Sequence, residues 1–182
     1  FRVKFIYDYN MKFADATSHE VDNVTLYAFD ESGSLVWQGK AEKNDLDAND
    51  YSIPVPLITG KYRFIAWGGG KHSENALSWS SGTGGIKAEM TRFLPVGSEN
   101  RISSDIDALF YGTLEDGFPS NADYTAAFHL MKNTNSIQVV LQQNAGEQMD
   151  FDSDRFLVTI TADNSAYDSS NAFISAGSPT VY

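Results

Sequence analysis

The sequence predicts an all-β domain: an antiparallel β-sandwich of about seven strands, interrupted by one irregular insertion. Three observations predict it. Apolar residues return at every second position in run after run, the spacing that gives a strand one buried and one wet face. Clusters of Gly, Asn, Asp and Pro punctuate the runs as turns do. No stretch sustains the 3.6-residue period of an amphipathic helix. With 182 residues, such a domain can bury roughly 70% of its unfolded surface, enough to fold without metal or disulfide.

The first strand spans residues 1–8, where Phe1, Val3, Phe5 and Tyr7 alternate with Arg2, Lys4 and Asp8, Ile6 being the exception. Residues 9–20 keep no period and read as a loop with one helical turn at most. Val24, Leu26 and Ala28 open a second strand, Asp30-Glu31-Ser32-Gly33 turns it, and Leu35-Val36-Trp37 returns as a hairpin. Gly33 supplies the positive φ of such a turn. Lys43 to Asp50 is polar and turn-rich. Ile53, Val55 and Leu57 resume the alternation, with Pro54 and Pro56 on the other face. Proline donates no ladder hydrogen bond, which assigns this strand to a sheet edge or to a place beside a gap in pairing. Thr59-Gly60 turns the chain into residues 61–68, where Tyr62, Phe64 and Ala66 oppose Arg63, Ile65 and Trp67 on a well-buried strand.

Gly68-Gly69-Gly70 ends that regularity, and residues 70–105 read as an irregular insertion rich in Gly, Ser and Asn. Loops of that length are uncommon unless functional. Asp107 to Gly112 re-enters the core. A hairpin is then expected in the middle of a sheet. Ala126, Phe128 and Leu130 face inward on its first arm, Lys132-Asn133-Thr134-Asn135 turns, and Ile137, Val139 and Leu141 face inward on its second. Asn tolerates the left-handed backbone angles of such a turn. The last strand is placed at residues 155–162, with Phe156, Val158 and Ile160 inside. Residues 1–163 thus form the N-terminal β-sandwich domain. Residues 164–182, rich in Ser, Asn and Ala, read as a linker or the start of a missing second β-sandwich domain.

A formal net charge of -11 and the absence of cysteine narrow the function. Nucleic acid is excluded as a partner, because phosphate binding needs a basic face. Disulfides and thiol zinc sites are excluded with the cysteines. No apolar run approaches the roughly 20 residues a membrane-spanning helix needs. The chain opens at Phe1 directly in strand-like sequence and is read as a processed or truncated product, with any signal peptide or lipid attachment site upstream.

No catalytic constellation or cofactor motif is legible, so the chain is read as non-enzymatic. His129 falls on the outer face of a strand, and His19 and His72 fall in loops, leaving no base to pair with a nucleophile. Asp45, Asp47, Asn49 and Asp50 have the odd-position spacing of a calcium loop but lack its sixth-position Gly and twelfth-position Glu. Asp150, Asp152 and Asp154 precede a strand, where acids commonly cap turns. Both clusters are read as solvated turns and not as metal sites. The runs Gly68-Gly69-Gly70 and Gly82-Thr83-Gly84-Gly85 lack the Gly-Lys-Ser/Thr and following helix of a phosphate loop. Trp37, Trp67 and Trp79 have faces suited to sugar rings. Trp67 sits in core-like sequence. Trp79, in a Ser-rich loop, is the candidate exposed aromatic for a glycan, against the plainer role of a loop anchor packed on the sandwich.

Five stretches in order resemble the N-terminal domain of the fimbrium anchoring subunits, the FimB-like fimbrial lipoproteins of Bacteroidales. They are Phe5-Ile6-Tyr7-Asp8-Tyr9-Asn10-Met11-Lys12-Phe13-Ala14-Asp15-Ala16, Val24-Thr25-Leu26-Tyr27-Ala28-Phe29-Asp30, Gly60-Lys61-Tyr62-Arg63-Phe64-Ile65-Ala66-Trp67-Gly68-Gly69, Leu109-Phe110-Tyr111-Gly112, and the Asn133-Thr134-Asn135 turn with its following strand. The resemblance implies a transthyretin-like Greek-key sandwich and a surface-exposed outer-membrane lipoprotein, anchored by lipid upstream of residue 1, that anchors or terminates a fimbria. It implies fimbrial stalk subunits as partners, met by β-strand addition. Structural subunits lose their first strand to open a groove, whereas anchor-type members are expected to keep it. Phe1, Val3, Phe5 and Tyr7 are therefore the candidate groove-filling strand. A surface glycan-binding module is the alternative.

Overall fold

The computed structural model describes residues 1–11, 14–57, 59–69, 77–80, 89–93, 98–102, 105–118, 124–141, 156–175 and 178–182. Its body is two facing sheets. One holds β1 (Arg2–Ile6), β4 (Ser52–Pro54) and β9 (Thr125–His129), in the order β4-β1-β9. The other holds β2 (Asn23–Phe29), β3 (Leu35–Glu42), β5 (Gly60–Gly69), β8 (Leu109–Phe118) and β10 (Met131–Lys132), in the order β10-β8-β5-β2-β3. The alternating residues meet between them. Val3, Phe5, Tyr7, Ile53, Ala126 and Phe128 from the first sheet pack on Val24, Leu26, Ala28, Phe64, Ala66 and Phe110 from the second.

The five-stranded sheet is covered on its other face as well. Tyr27, Phe29, Ile65, Trp67, Leu109 and Tyr111 form a second cluster there with Ile102 and Tyr167. A strand buried on both faces has no wet side to mark with polar residues, which is why β2 and β5 read as nearly continuous apolar runs. The hairpin of β2 and β3 forms as expected, with Gly33 at φ +79°. β4 lies at its sheet's edge with Pro54 exposed, as the prolines require.

The chain changes sheets at Leu130. Its amide donates to the Ile6 carbonyl at 2.8 Å, and the next residue, Met131, pairs with Tyr111 in the opposite sheet. Gly112 permits the close crossing. A Cβ there would stand 2.4 Å from the Phe128 ring and 2.6 Å from the His129 carbonyl oxygen.

Several expectations are corrected. The sandwich is not wholly antiparallel, because β9 pairs with β1 in parallel register, Arg2 opposite Thr125 through Ile6 opposite His129. Ala126, Phe128 and Leu130 are buried as expected, but the second arm of that hairpin does not form. Ile137, Val139 and Leu141 lie exposed and outside any strand. Residues 156–160 are likewise exposed and outside any strand, and β11 (Thr161–Ala162) represents the expected last strand. The polar stretch after β3 is a helix, α2 (Lys43–Ala48), which buries Leu46. The loop after β1 holds the single helical turn expected of it, α1 (Thr17–Glu20).

The insertion contains an antiparallel hairpin of β6 (Leu77–Ser80) and β7 (Glu89–Phe93). Residues 164–182 do not run free. Within them β12 (Ala166–Tyr167) pairs with β7, and β13 (Thr180–Val181) pairs with β11. Tyr167 lies against Trp67 with ring centroids 6.2 Å apart, and the Tyr111 hydroxyl donates to the Ser169 carbonyl at 2.9 Å. The Asp168 carboxylate closes the turn by accepting from the Ser170 amide at 2.8 Å and the Ala172 amide at 2.9 Å. Burial pushes Asp168 upward, but the Ser170 hydroxyl, which donates to it at 2.6 Å, these two amides and the Arg63 charge outweigh it and hold its pKa below the usual carboxylate value.

Candidate interaction site

A strand rich in aromatics and flanked on both sides by partners is the best-defined feature of the molecule. β1 lies between β4 and β9, and Val3, Phe5 and Tyr7 on its inner face are buried. Phe5 meets Phe128 edge-on at 5.7 Å, and Tyr7 meets Phe110 at 5.1 Å across the sandwich. Phe1, partly buried, stands edge-on to Phe64 at 6.1 Å. These four are the predicted groove-filling residues, and the fold brings them into one core.

Both ends of β1 are tied. The Arg2 amide donates to the Tyr124 carbonyl at 2.9 Å, the Arg2 guanidinium to the Ser52 hydroxyl at 2.9 Å, and Lys4 pairs with Asp50 at 2.6 Å. At the far end the Tyr7 amide donates to the Thr17 hydroxyl at 2.6 Å and to the Asp15 carboxylate at 3.2 Å. The Thr17 amide and hydroxyl donate to the same carboxylate oxygen. Burial pushes the Asp15 pKa upward, but these bonds and the Lys4 charge outweigh it and hold it below the ordinary value. Burial, with Glu20 nearby, raises the Tyr7 phenol.

Because β1 is central, the unpaired main chain lies elsewhere. β3 is the longer of the two outer strands of the five-stranded sheet, with eight residues against two in β10. Leu35 and Val36, at its start, are exposed, while Lys40 and Glu42 pair at 3.0 Å near its end. A long edge with an apolar start and a charged finish can take an added strand at the first half and discourages one at the second.

The remaining expected residues are scattered. Asp47 and Asp50 face separate partners. Asp47 accepts from Lys43 and from the Tyr51 hydroxyl, which also lies 3.3 Å from the Ser18 carbonyl, and Asp50 pairs with Lys4. Bonds from Lys43 and Tyr51 lower the Asp47 pKa; burial and then Asp47 raise Tyr51. The Lys43 and Asp47 spacing of four residues is the signal that could have disclosed α2. His129 lies 3.0 Å from Asp8 on the exposed side of β9, and His19 sits in α1. Trp67 is buried and Trp37 packs at the core's margin. Trp79 belongs to β6, not to a loop, opposite Met90. His72, Gly70, residues 82–85 and the acids Asp150, Asp152 and Asp154 lie outside the described residues. Among the described residues, no helix is long and apolar enough to cross a membrane.

A family model for the fimbrillin-A associated anchor proteins Mfa1 and Mfa2 matches residues 1–182. The chain belongs to this family. No curated protein matches it. Three solved structures place the Mfa2-family chain among its neighbours. A candidate polysaccharide-binding protein of Bacteroides thetaiotaomicron is 27% identical, with a TM-score of 0.85 over 99% of this chain and 63% of that one. A candidate adhesin of the same organism is 30% identical, with a TM-score of 0.80 over 100% and 60%. The fimbrial anchor protein Mfa2 of Porphyromonas gingivalis shares the fold at 19% identity, with a TM-score of 0.64 over 100% and 65%. The chain therefore spans less than two thirds of the length of each of these structures.

Proposed function

We propose that this chain is part of a non-enzymatic fimbrial anchor or tip-type subunit on the cell surface, meeting fimbrial stalk subunits by β-strand addition. The observation that carries the reading is the placement of β1. A sandwich that fills its own groove with Val3, Phe5 and Tyr7 has no vacancy for a neighbour's strand there, which suits a subunit that ends or anchors a polymer. Family membership supports the fimbrial setting. In this reading a lipid upstream of Phe1 holds the subunit in the outer membrane, and the first half of β3 receives the partner's strand. Replacing Leu35 and Val36 together with Lys should weaken capture of purified stalk subunits by about tenfold or more, with the unfolding temperature unchanged. Unaltered capture would move the contact away from β3.

A second reading, a surface glycan-binding module, draws on the relative described as a candidate polysaccharide-binding protein. Trp79 is the aromatic it would use. Retardation in polysaccharide affinity gels, lost in Trp79→Ala, would favour it over the first.

A further inference from the structure

Residues 156–160 carry an apolar surface that the sandwich does not use. Leu157 is 83% exposed, Val158 52% and Ile160 37%. β11 continues directly from them, and β13 runs antiparallel beside it, with Thr161 opposite Val181 and Ala162 opposite Thr180. One step on, Ile160 and Tyr182 exchange both backbone hydrogen bonds. The Ile160 amide donates to the Tyr182 carbonyl at 3.1 Å, and the Tyr182 amide to the Ile160 carbonyl at 2.8 Å. The ladder thus reaches Tyr182 still paired and heading along the exposed run.

An antiparallel register fixes the partners of any continuation. The residue after Tyr182 falls opposite Thr159, and the one after that opposite Val158. Bonded and non-bonded pairs alternate, so Val158 is the next residue to exchange both hydrogen bonds, while Thr159 is not. The solved neighbours, of which this chain spans 60–65%, contain further chain from which such a continuation can come.

We propose that the residues following Tyr182 in the native protein extend β13 alongside residues 156–159 and cover their apolar side chains. The occupant of this edge is the protein's own chain. Left open, such a run is a template for pairing with other molecules. The proposal does not depend on the anchor reading, whose test is stalk-subunit capture.

Residue-resolved amide hydrogen exchange decides it, comparing the 182-residue chain with the protein carried to its native C-terminus. The Val158 amide should exchange about a hundredfold or more slowly in the native-length protein, with Thr159 little changed. The chain has no cysteine, so Val158→Cys offers a second measurement. Its alkylation should slow about tenfold or more in the longer protein. Equal rates at both lengths would overturn the proposal. So would protection of the 182-residue chain that grows with its concentration, since a second copy would then be the occupant. A native C-terminus at Tyr182 would overturn it too.

Discussion

Two stretches of this protein carry the same pattern and meet opposite fates. At the N-terminus Val3, Phe5 and Tyr7, in β1 and just past it, recur at every second position and are buried. In residues 137–141, Ile137, Val139 and Leu141 do the same and are exposed, with no strand formed. Chemistry does not separate them. What differs is the supply of neighbours: β1 has β4 on one side and β9 on the other, with an apolar sheet opposite. Residues 137–141 come after a two-residue ladder at β10 and meet no such pair among the described residues. Alternation specifies a face, and only packing supplies something to press it against.

The comparison can be broken most forcefully by removing β1. Burial of Val3, Phe5 and Tyr7 contributes about 5–9 kcal/mol gross, comparable to a whole domain's net stability of about 5–15 kcal/mol. A chain lacking residues 1–8 should aggregate and show no cooperative thermal transition. A monomer with an unchanged melting temperature would make the strand ornamental. Next in size, Phe5→Ala should cost about 3–5 kcal/mol in urea unfolding, since the ring is fully buried against Phe128. Gly112→Ala should cost about 1–3 kcal/mol, because its Cβ would collide with Phe128 and with backbone at His129. A neutral result would mean that the two sheets close less tightly at that crossing.

The tie at the end of β1 has a pH signature. The folded pKa of Asp15 lies below its unfolded value, so its bonds stabilise the fold fully above the ordinary carboxylate range. That contribution disappears as pH falls through the folded pKa, below about pH 4. Urea midpoints of the wild type should drop in that window, and Asp15→Asn should flatten part of the drop. Asp168 is depressed in the same direction and leaves the variant a residual acid sensitivity. The smallest effect belongs to the other side of the comparison: Ile137→Ala should stay within about 0.5 kcal/mol in the 182-residue chain. A loss like that of Phe5→Ala would show that the exposed segment is covered in solution.

Much of the body was legible before folding. The strands at residues 1–8, 24–37, 53–57, 61–68 and 126–130 announce themselves by alternation, by proline or Gly33, or, in β2 and β5, by nearly continuous apolar runs between turn residues. The burial of Val3, Phe5 and Tyr7 was legible in their alternation. α2 was hidden because six residues cannot display a helical period, and its evidence is a single Lys43–Asp47 pair. The second cluster was hidden because its members come from β2, β5 and β8, already assigned to the first core, and from a polar tail that looked like linker. Tyr167 is buried in that cluster, and Ser165 and Thr180 of the same tail are buried too, none of them marked by a sequence period.

By itself the sequence determined that this protein is all-β, which residues face inward along β1, β2, β4, β5 and β9, and that it holds no thiol. Only the tertiary structure decided that β9 joins β1 in parallel, that the central sheet is buried on both faces, and that two apolar runs near the C-terminus are left uncovered. The reason is physical. Side-chain direction is a local property with a two-residue period, whereas pairing is a contest among distant segments for main-chain hydrogen bonds, settled only when the whole chain is packed.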